Sequence, residues 1–454
     1  MDGSISRYLP SGDMVTCVAN PQSGHRRGSS GFRGITIALF CAGLAIFTAL
    51  YATQALLPSL SDAFHLSPAA ASLAVAVAAG GIAVGVLPLT ALSETLGRTP
   101  VMTVSLFTSA ALSLLIAVSP NFTVLLVLRG LQGLALAGIQ AVAMSYLAEE
   151  VHRDSLGFAS GLYVAGNAFG GMVGRLLAAL VDDVAGWRWA LAVAGMVTLA
   201  CAIAFRCTIV ASAGFHPRPP RIRELAASIG RALTDAGLLG LFAAGFLLMG
   251  CFVTVYNYLG FRLLGPGFGL SRTVVGLIFM AYLAGLFSSA YAGRLVDRFG
   301  RPRMLWIMAA ITLAGLLLMA TASVATVIIG LLVTTGGFFA AHSVASGWVS
   351  ARSARLGVQG SAVYVCCYYL GSSAGGTLGG LAFSAGGWSA VTYYTCAFML
   401  AVLTIAILLR KLRPAAPDGG YSLMDTKAAS RRAATRHQRG IHTERKPDRL
   451  GQKV

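Results

Sequence analysis

Charged residues make up 11% of the 454 positions, and only 16 residues are acidic. Soluble chains carry about 25% charged residues, so this chain has too little polar surface to stay in water, and a soluble enzyme is excluded. None of the sixteen carboxylates falls in the middle of an apolar stretch. Glu94, Asp182, Asp183 and Asp297 come nearest, at ends and loops. The eight cysteines have no metal-type pair spacing: Cys41, Cys201, Cys207, Cys251, Cys366, Cys367 and Cys396 lie in apolar runs and Cys17 in the polar leader. Neither a disulfide framework, a metal site nor a cofactor is implied. The first 33 residues carry Asp2 and Asp13 and lack the compact apolar core and cleavage site of a signal peptide. The first apolar span is therefore expected to be the insertion signal itself.

What the chain has instead is apolar length. Hydrophobic residues are 56% of it, and the mean hydropathy is +0.74. A bilayer-crossing helix needs about 20 apolar residues. Stretches of that kind run over 34–57, 70–92, 101–118, 122–147, 157–181, 187–209, 238–264, 273–292, 304–323, 325–349, 358–384 and 388–410. The expected fold is an all-α membrane protein with twelve transmembrane helices.

The excess of 34 basic over 16 acidic residues would point to nucleic acid in a soluble protein. Here the basic residues flank the membrane segments, so they are read as binding anionic lipid or as solvated tails, with no nucleic acid partner. With the N-terminus placed in the cytoplasm, the inside segments hold 29 basic residues and the outside segments three, Arg188, Arg262 and Arg272. That asymmetry predicts cytoplasmic termini at both ends and an even number of spans. Arg129 and Arg175 lie within spans.

Three landmarks recur at nearly constant offset. Gly97-Arg98 matches Gly300-Arg301, Gly166-x-x-x-Gly170-Gly171 matches Gly371-x-x-x-Gly375-Gly376, and Gly186-Trp187 matches Gly387-Trp388. The chain therefore reads as two six-helix bundles in parallel repeat. The expected organisation is a cytoplasmic leader 1–33, a first bundle 34–209, a cytoplasmic linker 210–237, a second bundle 238–410, and a basic tail 411–454 whose composition fits disorder. His216-Pro217-Arg218-Pro219-Pro220-Arg221 in the linker cannot continue a helix.

The turn between spans eight and nine reads Gly293-Arg294-Leu295-Val296-Asp297-Arg298-Phe299-Gly300-Arg301. Alone it could be an ordinary charged turn, but Thr90 to Thr99, with Glu94, Gly97 and Arg98, occupies the equivalent place in the first half. Together these turns resemble the major facilitator superfamily, whose loop signature is G-x-L-x-D-R-x-G-R. In the first loop Thr90, Glu94 and Thr95 depart from that signature. Arg129-x-x-Gln132-Gly133 resembles the family's R-x-x-Q-G motif. Gly166-Asn167-x-x-Gly170-Gly171 resembles its antiporter motif, with Asn167 in place of proline. With Tyr256 to Leu263 and Phe338 to Ser343, the pattern resembles most the YnfM-type inner-membrane transport proteins, close to the drug and arabinose exporters.

The resemblance implies gating contacts at Glu94, Gly97, Arg98, Gly293, Asp297, Arg298, Gly300 and Arg301, and a hinge at Gly166, Gly170 and Gly171. Those glycines also suit plain helix packing. Candidates for the substrate or proton pathway are Arg129, Gln132, Asn167, Arg175, Tyr256, Asn257, Tyr258 and His342. Arg129 lies deep in span four, where it either meets substrate or locks helices through backbone carbonyls. Arg175 lies near the outer end of span five and is expected to snorkel or to pair with Asp182 or Asp183. His342, near the middle of span ten, is either a buried neutral histidine bonded to a neighbour or a proton carrier, since histidine can change charge near neutral pH. Of Tyr256, Asn257 and Tyr258, one or two should line the cavity and the rest pack. Proton-coupled relatives commonly have a carboxylate in the first or fourth span; here the first offers Tyr51 and Gln54.

The expected function is export of a small solute by alternating access with proton antiport. The expected setting is a bacterial inner membrane, as a multi-pass monomer. Uptake or uniport of a metabolite, or a transport-dead sensor acting through its basic tail, are the alternatives. An enzyme is not expected, because no span carries a nucleophile or metal constellation.

Overall fold

The computed structural model describes residues 24–212, 215 and 222–411. The start of the leader, the His216 to Arg221 run of the linker and the basic tail beyond Lys411 lie outside the described residues.

The described chain is helical from end to end. Its first half comprises α1 (Ser30–Ala55), α2 (Leu57–Phe64), α3 (Pro68–Leu96), α4 (Arg98–Ala117), α5 (Phe122–Glu150), α6 (Arg153–Ala185) and α7 (Trp187–Thr208). Helix α8 (Ile222–Thr234) follows, and the second half comprises α9 (Ala236–Leu264), α10 (Arg272–Ile278), α11 (Tyr282–Phe299), α12 (Arg301–Leu318), α13 (Val324–Leu356), α14 (Gly360–Leu370) and α15 (Gly376–Lys411). Eleven helical runs are long and apolar enough to cross a membrane. The last of them, Gly360–Lys411, turns back on itself at Gly386 and Gly387, whose dihedrals are not helical. The described residues therefore make twelve crossings, an even number that returns Lys411 to the side of Ser30. That side is called the terminal side below, and the opposite one the far side.

Several boundaries differ from the sequence reading. Ser29 caps the first helix by accepting from the Phe32 amide, so the span starts at Ser30 rather than 34. The leader is docked here: His25 exchanges backbone hydrogen bonds with Glu150 and His152, and Arg27 stacks over Phe158. Within the linker, α8 forms directly after the prolines, buries Ala232 and donates no helix to the membrane. Its Ser228 Oγ accepts from the Gln359 amide. At 13 residues α8 is shorter than the roughly 20 apolar residues of a crossing, and it sits in a basic segment, so apolar length alone does not mark it.

The repeat is visible in the turns. Gly97 and Gly300 both have positive φ (97° and 78°), and each ends one helix while the next begins at the following arginine. Gly186 and Gly387 (83° and 58°) make the corresponding turns on the far side, each before a tryptophan. Only glycine adopts such angles at little cost, so the sharp returns between crossings require it at these positions.

Candidate functional site

Arg175 of α6 is fully buried. Its Nε donates to Gln54 Oε1 of α1 at 2.8 Å and its Nη1 to the Gly171 carbonyl at 2.6 Å. The rings of Tyr51, Tyr282 and Tyr256 lie 4.2, 4.6 and 5.0 Å from the guanidinium carbon. Gln54 passes the network on, donating from Nε2 to Asn257 Oδ1 of α9 at 2.6 Å. The cluster thus joins the two halves. Its depth follows from helix length: α6 continues to Ala185, leaving about 15 Å of helix beyond Arg175 at 1.5 Å per residue. The rim position expected for Arg175 is therefore corrected. It neither snorkels nor pairs with Asp182 or Asp183, because the helix outruns the apolar stretch and places it at mid-depth.

Burying an ion costs several kcal/mol, and a desolvated cation over an aromatic face recovers about 2 kcal/mol. Three phenol faces therefore offset much of the cost of enclosing Arg175. They add no negative charge, and among the described residues no carboxylate pairs with it. Its Nη2 is buried without a hydrogen-bond partner.

Arg129 of α5 is equally buried, but each of its three guanidinium nitrogens is bonded. Nε donates to the Ala74 carbonyl, Nη2 to that of Leu50, and Nη1 to that of Ala49 and to Gln132 Oε1, all between 2.5 and 2.9 Å. Gln132 in turn donates to Ser113 Oγ at 2.6 Å. Arg129 ties α5 to α1 and α3 through backbone oxygen, beside a void of about 10 Å³ lined by Thr53, Ser113, Gln132 and Leu191 among others.

The second half supplies an aromatic wall. Tyr256 gives its ring to Arg175 and shares a hydrogen bond with Thr335 at 2.9 Å. Tyr258 turns the other way, donating to the Gly376 carbonyl at 2.9 Å and stacking on Phe383. From Tyr282 the rings continue through Phe339 (5.0 Å), Phe338 (5.3 Å) and His342 (6.1 Å). His342 is half-buried, with Nδ1 3.0 Å from the Tyr364 hydroxyl and its ring 4.6 Å from that of Tyr368. Tyr282, Thr335 and Tyr368 belong to none of the sequence motifs. Each is a polar group inside an apolar span, which is the signal that could have found them.

The glycines of α6 form one packing face. A Cβ at Gly166, Gly170 or Gly174 would meet the backbone of α1 at Phe40, Leu44 and Thr48. Gly371 and Gly375 press in the same way on the backbone of Phe246 and Gly250 of α9, and Gly379 on the Thr254 side chain. The polar contact repeats too: Thr48 donates to the Gly170 carbonyl at 3.3 Å and Thr254 to that of Gly375 at 3.0 Å. Gly171 faces the centre instead, against Tyr282 and Arg175, while Asn167 lies against Gly43. Between α14 and α15 the backbone loosens into a π turn, Gly371–Gly375, a local irregularity common at functional sites.

On the far side the halves are latched. Asp182, with a side chain 3% exposed, pairs with Arg272 Nε at 3.1 Å and accepts from Ser59 Oγ, which also accepts from Arg272 at 3.0 Å. Thr273 Oγ1 donates to Asp183 at 2.6 Å, and Asp62 lies 3.9 Å from Arg272. The side-chain bonds that link the two halves include the Gln54–Asn257 pair at mid-depth and the latch bonds of Ser59, Asp62, Asp182 and Asp183.

The terminal-side turns bond only within their own halves. Arg98 pairs with Glu149 of α5 at 3.0 Å and donates to Ser93, so Glu149 rather than Glu94 is its acid. Asp297, Gly293, Arg298 and Gly300 are exposed, with Arg298 resting on Phe299, and Arg301 is half-buried. Arg352 pairs with Asp235, the N-cap of α9, and holds that carboxyl below the usual carboxylate range.

Comparison with known proteins agrees with this architecture. The chain is 41% identical over 392 residues to the inner membrane transport protein YnfM of Escherichia coli K12, covering 86% of this chain and 93% of that one. It is 40% identical over 381 residues to the uncharacterized MFS-type transporter YybF of Bacillus subtilis, covering 84% and 94%. Among solved structures, an inward-facing, unoccupied bacterial homologue of the human lysosomal transporter Spinster superposes with a TM-score of 0.67 at 14% identity, over 84% of this chain and 96% of that one. A D-xylose-proton symporter superposes with a TM-score of 0.65 at 18% identity, over 85% and 98%. The Major Facilitator Superfamily model matches residues 37–265 and 261–439. This chain is a multi-pass membrane transporter belonging to the Major Facilitator Superfamily.

Proposed function

We propose that the protein exports a small solute by proton antiport across a bacterial inner membrane, its halves rocking about the Arg175 cluster. One observation carries the reading. The buried Arg175–Gln54–Asn257 network spans the junction of the halves at mid-depth, with the latch beyond it, while on the terminal side the Arg98–Glu149 and Arg352–Asp235 pairs each stay within one half. With the termini in the cytoplasm, the arrangement is inward-facing, and solute enters the cluster from the cell interior. Antiport is supported by the glycine face of α6, whose Gly166-x-x-x-Gly170-Gly171 resembles the exporter motif. His342 is the titratable group at mid-depth on the aromatic wall, and it takes the role of proton carrier that no carboxylate fills.

The test uses inverted vesicles carrying an imposed pH gradient. A growth screen of an overexpressing strain against toxic solutes supplies the solute, and adding it should discharge the gradient. His342→Gln should retain solute exchange and lose the proton movement. Solute movement that leaves the gradient untouched would replace antiport by uniport. Deletion of 411–454 should leave flux intact; a full chain that inserts at normal abundance and moves no solute would favour the sensor reading.

A further inference from the structure

The two buried arginines of the first half differ in one respect. Every nitrogen of the Arg129 guanidinium has a carbonyl or amide oxygen to bond to, whereas Arg175 keeps Nη2 buried and unpartnered. Both lack a carboxylate among the described residues. For Arg129 the helix carbonyls replace one, and they are fixed parts of the bundle. For Arg175 the neighbours are phenol faces and amides, which stabilise a cation without neutralising it. The free donor sits at the junction of the halves, where a bound group would feel their movement.

We propose that the solute is a small organic monoanion whose carboxylate is bound by Arg175. The inference rests on reading the central cluster as the solute site. One uncompensated positive charge calls for one negative charge, which a carboxylate supplies and a doubly charged phosphate overshoots. The Tyr282, Phe339 and Phe338 wall beside it suits an apolar or aromatic body. Nη2 is the guanidinium group left to donate, and pairing it with a charged acceptor satisfies the buried orphan.

The purified full chain is melted in detergent with three probes of one body, benzoate, benzamide and benzylamine, and with hexanoate, hexanamide and hexylamine. Sodium phosphate and sodium chloride are run alongside. At least one of the carboxylates should raise the melting temperature saturably, and its matched amide and amine should not. In Arg175→Gln that response should weaken about tenfold or more, the loss expected when a charged hydrogen bond is removed. Should Arg175→Gln fail to fold, Gln54→Glu provides a second variant. It seats a carboxylate next to Arg175 and should abolish the benzoate or hexanoate response while melting no lower than wild type. A response that survives in these variants overturns the proposal. So does the absence of any carboxylate response, or a shift with phosphate or chloride alone. An amide or amine response that disappears in Arg175→Gln would keep the cluster as the solute site and refute only the anionic class.

Discussion

Gln54 donates to Asn257 at 2.6 Å across the junction of the two halves, and its carbonyl oxygen accepts from Arg175 at 2.8 Å. Its amide uses both ends, one on each half. Changing Gln54 to glutamate keeps the size, pairs Arg175 internally and puts a negative charge against Asn257 Oδ1 unless the amide flips. Flux should fall by an order of magnitude or more, because the cation is already neutralised, while the melting temperature holds or rises. Transport rate per inserted protein beside the melting curve separates this from misfolding.

Arg129 and Arg175 should respond in opposite ways. Removing Arg129 takes away four buried hydrogen bonds from a charged donor, to the carbonyls of Ala49, Leu50 and Ala74 and to Gln132, and bonds of that kind contribute about 1.5–3 kcal/mol each. Arg129→Ala should insert poorly and melt much lower. Arg175→Gln should lose flux with a smaller change in melting, since only two of its hydrogen bonds go to protein oxygen. Comparable melting losses in both would erase the distinction drawn between them.

How much of this was legible in the sequence differs from residue to residue. Composition and the repeat of Gly97, Gly186 and Gly170 at Gly300, Gly387 and Gly375 were enough for the span count and the two halves. Both buried arginines stood out as charges in apolar runs. Their roles did not, because they depend on helix phase and on how far a helix runs past its apolar stretch. Arg175 read as a rim residue for that reason. Glu149 and Ser59 were hidden by the same effect: each gains its partner only when separate helix ends converge in space.

The far-side latch should set the balance between the two open states. Asp182→Asn keeps the shape and removes the charge that Arg272 binds at 3.1 Å. Breaking one partner of a buried pair costs about 3–5 kcal/mol, less here because the Arg272 side chain is 39% exposed. The far-open population should rise several-fold, seen as faster reaction of a cysteine at Ala179, which faces Gly276 across the latch, with a membrane-impermeant maleimide. An unchanged labelling rate in both Asp182→Asn and Arg272→Gln would mean that the latch does not hold this face shut.

The glycine faces should tolerate no side chain. Gly170→Ala and Gly371→Ala place a Cβ on the backbone of the Leu44 and Phe246 turns, and overpacking of this kind costs about 1–3 kcal/mol. Gly161→Ala on the same helix, where a Cβ meets open space, should be neutral or slightly stabilising. Melting temperatures of the three variants in detergent check the contrast.

The central claim is that the halves open alternately about the Arg175 cluster. The most direct measurement is a pair of spin-label distances in a cysteine-free background that retains flux, one between positions 65 and 267 on the far side and one between 153 and 355 on the terminal side. In Asp182→Asn the far-side distance should lengthen while the terminal-side distance shortens, and Gln54→Glu should narrow both distributions toward the wild-type closed far side. Distances that stay fixed, or that lengthen together on both sides, would contradict alternating access about this site.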